Sequence, residues 1–204
     1  MDSVLTEAGQ INDVKVSPDG RLAAVTQEFS RDGLNGITLL SLTDPLHPAV
    51  VTRYTQGLEG GVRNTWFEGS HLYVAARSIG VGLKILDISS PQAPALVASY
   101  FGGSSFLHDV VVRGGLAFLA HWDAGLIILD VGNAIAGGSP SAPVVVSRIG
   151  SLGGQTHSVW YWPSAHYVFV TEEDETLGKL HVVDLSDPFR PREVATYRVP
   201  GDAP

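Results

Sequence analysis

Two sets of polar residues recur at matched places in an otherwise apolar pattern, and any chemistry this chain performs would start from them. Asn12, Asn64, His108 and His157 each open one kind of apolar run, about 45–50 residues apart. Gln27, Arg77, His121 and Glu172 each close the run that follows. All eight are candidate ligand-binding residues. Imidazole and carboxylate suit Zn, Fe, Cu or Mn, so His108, His121, His157 and Glu172 form a candidate set for a divalent metal ion. Against this, two of the four copies carry Asn, a poor ligand for such ions. The competing reading is architectural, with Asn or His capping a strand and bonding a neighbouring backbone. His108-Asp109 makes a poor acid–base dyad, because adjacent residues on a strand face opposite ways. No nucleophile-elbow, phosphate-loop, zinc-protease or EF-hand spacing occurs, so no catalytic residue is assigned.

Other residues invite weaker readings. Glu172-Glu173-Asp174-Glu175 could gather oxygens for Ca²⁺, although a run of acids between strands is more simply a solvated turn. Arg77 and Glu172 could pair, or Arg77 could meet an anion. Asp87, Asp130 and Asp184 recur in three copies, which argues for a backbone hydrogen bond every copy needs. Trp66, Trp160 and Trp162 are expected to fill gaps between sheets. His47, His71 and His166 are expected in solvated turns.

The elements that must position these residues repeat four times. Each copy holds four short apolar runs, here strands a to d. Strand b covers Leu22–Thr26, Leu72–Ala76, Leu116–Ala120 and Tyr167–Thr171; strand d covers Ala49–Tyr54, Ala95–Phe101, Val144–Ile149 and Glu193–Val199. Strand c reads ITLLSL, LKILDI, LIILDV and LHVVDL, apolar on both faces, which requires neighbours packed on both sides. Turn residues separate a from b, among them Ser17-Pro18-Asp19-Gly20 and Arg113-Gly114-Gly115, and Pro45, Pro91 and Pro188 follow strand c. Four strands per period of this length predict an all-β β-propeller, with blades over residues 8–59, 60–105, 106–154 and 155–204 of a single domain or segment. Each terminal blade would then bare an apolar face. The expectation is part of a larger propeller, with a closed four-bladed ring as the alternative. No amphipathic helix is convincing; the best candidate is a turn near Asn133–Gly137.

Leu83–Asp87, Leu126–Asp130 and Leu180–Asp184 resemble the Leu-Val-Ile-Val-Asp (LVIVD) repeat. His108-Asp109-Val110 and His121–Gly125 resemble the pattern of the related choice-of-anchor B surface proteins. The first copy departs, with Ser41 where the others carry Asp. The resemblance implies a propeller from a bacterial surface or exported protein. Trp122-Asp123 is not the WD40 signature, because it follows strand b rather than closing strand c.

Composition narrows the partners. The net charge is −8, and the three lysines, Lys15, Lys84 and Lys179, are scattered, so no nucleic-acid footprint exists. With no cysteine, disulfides and thiolate chemistry are excluded. The opening MDSVLTEAGQ has no basic stretch followed by an apolar one, no run suggests a transmembrane segment, and no glycosylation sequon occurs. The functional expectation is a non-catalytic binding or interaction module, extracellular or at the cell surface. It would take a protein or small-molecule ligand at the channel mouth, or self-associate through exposed terminal blades. The alternatives are a metal-dependent oxidoreductase resembling selenium-binding and methanethiol oxidase propellers, and a structural fragment that completes a ring with a partner.

Overall fold

The computed structural model describes residues 3–4, 6–77, 80, 82–103, 106–173 and 178–198. The chain forms four separate four-stranded antiparallel sheets, each with its strands in chain order. The first holds β1 (Val14–Val16), β2 (Leu22–Gln27), β3 (Gly36–Ser41) and β4 (Ala49–Tyr54). The second holds β5 (Val62–Glu68), β6 (His71–Ala76), β7 (Leu83–Asp87) and β8 (Ala95–Tyr100). The third holds β9 (Asp109–Arg113), β10 (Leu116–His121), β11 (Gly125–Asp130) and β12 (Val144–Ile149). The fourth holds β13 (Thr156–Trp162), β14 (Tyr167–Glu172), β15 (Leu180–Asp184) and β16 (Arg192–Tyr197). Among the described residues the only helical turn is a 3-10 turn at Pro163–Ala165, which joins β13 to β14 through His166 in the left-handed region. The stretch 133–137 is a series of bends, not a helical turn.

The chain divides into two compact units, residues 1–101 and 102–204, of two sheets each. In the first unit, Ile37 and Leu39 of β3 join Val62, Phe67, Leu72, Val74 and Leu86 in one buried cluster. Leu40, on the opposite face of β3, joins Ala23 and Val25 in another. Period-two alternation thus serves two cores from one strand, which is why strand c is greasy throughout. In the second unit β10 and β11 are buried over their whole lengths, and Phe118 packs its ring 4.5 Å from that of Tyr161. Each such buried side chain contributes about 2 kcal/mol by leaving water.

Two devices recur. A glycine opens strand c so that strand d can approach closely: a Cβ at Gly36, Gly82 or Gly125 would lie 2.1, 2.4 or 2.2 Å from the carbonyl oxygen of Tyr54, Tyr100 or Ile149. A carboxylate closes strand c by accepting backbone N–H groups. Asp87 accepts from Ser89 at 2.8 Å and Asp184 from Ser186 at 2.8 Å. The Ser89 N–H holds the Asp87 carboxyl below its ordinary pKa, and the Ser186 hydroxyl, followed by the Ser186 N–H, does the same for Asp184. Fully buried Asp130 accepts from five amides, those of Gly132, Asn133, Ala134, Ala136 and Gly138. In the first sheet Ser41 does the same with a hydroxyl, accepting from Thr43 N–H at 3.3 Å.

Two of the three tryptophans expected between sheets depart from that expectation. Trp160 and Trp162 are half exposed rather than wedged between sheets, and Arg113 stacks its guanidinium 4.7 Å from the Trp160 ring centre.

Candidate functional site

Strand pairing defines which residues are equivalent, and it moves the second copy by one. In the second sheet Val62 faces Ala76 and Asn64 faces Ala75, so Arg63 is the extra residue of a β-bulge. In the fourth, Thr156 faces Glu172 and Ser158 faces Thr171, so His157 is the bulged residue. Asp109 faces Ala120, and Asp13 takes the N–H of Thr26, so Asn12 and His108 sit just ahead of the paired residue. Arg63, not Asn64, is therefore the counterpart of Asn12, His108 and His157. At the end of strand b, Gln27 faces Gly36, His121 faces Gly125, Ala76 donates to Gly82 O and Glu172 to Lys179 O. Ala76, not Arg77, is the counterpart of Gln27, His121 and Glu172. Arg77 belongs to the next position, with Glu28, Trp122 and Glu173.

In the first unit these positions close on themselves. The Glu28 side chain is fully buried, with Arg77 Nη1 3.2 Å from Oε2 and Arg63 Nε 3.6 Å from Oε1. Gly61 makes room for it, since a Cβ there would lie 2.5 Å from Glu28 Cγ. Arg77 also lies over the Phe29 ring, 5.2 Å from its centre. Asn12 donates to Val62 O of the next sheet at 3.3 Å, and Asp13 accepts the Thr65 N–H at 3.1 Å. Buried Gln27 accepts from Arg53 Nε at 2.8 Å. Asn12 and Gln27 thus each make a bond that ties strands together, and Asn64 faces Ala75 on β6.

In the second unit the same positions bring rings together. The His108 and His157 rings lie 3.8 Å apart between centres, and His108 stacks on Trp122 at 5.6 Å. Trp122 in turn stacks on Phe106 at 4.6 Å. Backbone bonds fix this row: His108 N–H to Ala120 O, Thr156 N–H to Trp122 O and Glu173 N–H to Gln155 O, at 2.9, 3.0 and 2.8 Å. Asp109 adds a staple, accepting the Val159 N–H at 2.9 Å. Trp122 sits at φ 31°, a left-handed conformation uncommon for a side-chain-bearing residue and costing about 1 kcal/mol or more.

The four residues read as metal donors do not stay together. Among the described residues, the group of three whose donor atoms all come within 4.8 Å of one another is His108, His157 and Glu173. Glu172 points to the other face of β14, as alternation demands, and its Oε1 meets His181 Nε2 at 3.2 Å, both side chains being buried. His181 Nδ1 lies 2.7 Å from Glu193 Oε1, which lowers the Glu193 pKa. His121 is fully buried, and a Cβ on Gly102 would lie 2.4 Å from its ring. Burial, aided by the positive charge of Arg148, lowers the His121 pKa and favours the neutral ring. Arg77 pairs with Glu28 and Glu172 with His181, each within its own unit. Of the acidic run, Glu172 is spent on His181, and Asp174 and Glu175 lie outside the described residues.

A cleft of about 650 Å³ lies in the first unit, at the opposite ends of the strands, with Asp19, Arg21, Leu22, Phe67, Ile88 and Gln92 among its lining residues.

Four antiparallel four-stranded repeats of this kind make the chain a β-propeller-type repeat protein. The LVIVD-repeat profile matches residues 59–101, 107–149 and 153–199, more than half of the chain, and the chain belongs to that family. The first sheet, with Ser41 in place of the aspartate, lies outside the matches. Solved structures agree on the fold. The β-propeller domain of Cps50 (Swd1) from Myceliophteria thermophila aligns at TM-score 0.69 and 14% identity, over 97% of this chain and 63% of that one. The computationally designed Ika8 protein aligns at 0.65 and 9%, over 92% and 49%. The designed Ika4 protein aligns at 0.62 and 12%, over 89% and 98%. The chain thus spans about half to two-thirds of the first two. At these identities the likeness concerns fold alone. No curated protein matches the chain. Among the described residues no helix is long and apolar enough to cross a membrane.

Proposed function

We propose that the chain is a non-catalytic binding module of an exported or cell-surface bacterial protein, taking a protein or small-molecule ligand on the row Phe106–Trp122–His108–His157. The observation that carries this reading is the row itself. Four half-buried rings line one end of a unit whose interior strands are fully buried. The strained backbone of Trp122 supports the same reading, because strain persists where surrounding structure holds a residue for a task. The LVIVD repeat supports the surface address.

Ligand-observed NMR with a panel of short peptides and aromatic small molecules tests the reading. Binders are expected whose affinity drops about tenfold or more in Trp122→Ala and is unchanged in Gln92→Ala, at the opposite cleft. A panel with no binder, or binders lost only in Gln92→Ala, would refute the row as the working surface.

Exposed apolar strands favour a second reading, association to complete a larger assembly. Val14 and Val16 on β1 are 59% and 54% exposed, and Trp160 and Trp162 on β13 about half. Light scattering is expected to show a mass that rises with concentration and falls back in the Trp160→Ser/Trp162→Ser protein. A monomer at every concentration would exclude it.

A further inference from the structure

We infer that His108, His157 and Glu173 form a three-donor site for a divalent transition ion of the zinc class, a deepening of the binding reading because it uses the same end of the same row. Zinc takes nitrogen at 2.0–2.1 Å and carboxylate oxygen at similar lengths in tetrahedral array, which sets donor atoms about 3.3 Å apart. His157 Nε2 and Glu173 Oε2 are 3.3 Å apart. The His108 donor lies within 4.8 Å of both, so side-chain adjustment closes the triangle without moving the backbone. Two imidazoles and one carboxylate leave a position open to water or ligand. Ca²⁺ and Mg²⁺ fit the set poorly, because they take oxygen almost exclusively.

Three further features support the site. Ser158 Oγ lies 2.9 Å from His157 Nδ1. With Nδ1–H donating to that hydroxyl, Nε2 is the atom left to ligate, the arrangement that outer partners of metal-bound histidines impose. The Glu173 side chain is 56% exposed, which gives an ion an entry path. The comparison between units is the third. The matching positions of the first unit, Asn12, Arg63, Glu28 and Arg77, hold a carboxylate neutralised by two fixed guanidinium groups. In the second unit His108, His157, Trp122 and Glu173 supply a carboxylate and two imidazoles, and a bound cation would bring the positive charge that arginine brings in the first. The asparagine in the first copy therefore does not count against a metal in the second.

The test uses the full chain, expressed without a histidine tag, stripped with chelator and titrated with Zn²⁺ by calorimetry. One ion per chain is expected. His157→Gln and Glu173→Gln should each weaken binding by about 100-fold or more, and Ser158→Ala by about tenfold, as for a positioning residue. His71→Gln should have no effect. Thermal melts of each variant separate loss of a ligand from loss of fold, and the exposed carboxylate of Glu173 makes its variant the safest to read. Absence of saturable binding, or binding indifferent to both His157→Gln and Glu173→Gln, overturns the metal site. If that happens while Trp122-dependent ligand binding persists, only the metal assignment falls; if both are absent, the row is not a binding surface.

Discussion

Asp130→Ala is expected to destabilise the protein by about 3–5 kcal/mol, the upper end for a single substitution. The side chain is fully buried and gathers the five amides that turn the chain from β11 into the segment leading to β12. Removing the carboxylate strands those donors. The pH dependence follows from the same bonds. Burial alone would raise the pKa, but the N–H groups of Gly132, Ala136, Gly138 and Asn133 outweigh it and bring it down to about 2. A folded pKa below the unfolded value of about 3.9 means that the stabilisation is fully present above that value. It is lost as pH falls through about 2. Urea unfolding of wild type and Asp130→Asn between pH 6 and pH 2 checks this. The stability gap should be widest at the high end and shrink towards pH 2, and a gap constant across the range would refute the assignment.

Glu28→Ala is expected to cost about 2–4 kcal/mol, because it leaves Arg63 and Arg77 partly buried without their shared counter-charge and empties the space beside Gly61. The exposure of the two guanidinium groups, 23% and 35% at the side chain, keeps the cost below that of a fully buried pair. Arg77→Met in the Glu28→Ala background should recover part of the loss, since it removes one stranded charge. Urea midpoints of the two singles and the double measure the coupling. Full additivity would show that the cluster is not a unit.

Much of this architecture is legible from strand c alone. Apolar residues on both faces of ITLLSL, LKILDI, LIILDV and LHVVDL require neighbours packed on both sides, and β3 has a buried cluster on each face, one shared with the second sheet and one within the first sheet against Val4 and Leu42. The recurring aspartates announce a shared backbone task, and each performs it. What the sequence hides is register. A bulge adds a residue without disturbing the apolar pattern around it, so Asn64 stands in the reading where Arg63 stands in the sheet, and Arg77 where Ala76 does. The same one-residue ambiguity exchanges Glu172 for Glu173: the two face opposite ways, and only pairing with β13 and β15 says which meets His157 and which meets His181. Glu28 and His181 carry no signal, because each sits inside or beside an apolar strand and matters only through partners distant in sequence. His108 and His157 were findable from their recurrence at the start of strand a; the rings of Phe106 and Trp122 were not, since stacking depends on a left-handed turn at Trp122.

Strand d pairs with strand c through a shift at the same place in every sheet, after Leu39, Ile85, Ile128 and Val182. Strand d is also the outer margin of each sheet, and it carries exposed Val50, Leu96, Val144, Val145 and Val194. Four margins with exposed aliphatic side chains and open amide rows would ordinarily invite cross-β growth with neighbouring molecules. The repeated kink twists each margin away from the flat geometry such growth needs, so the irregularity that interrupts the ladder also guards the folded chain against fibre formation.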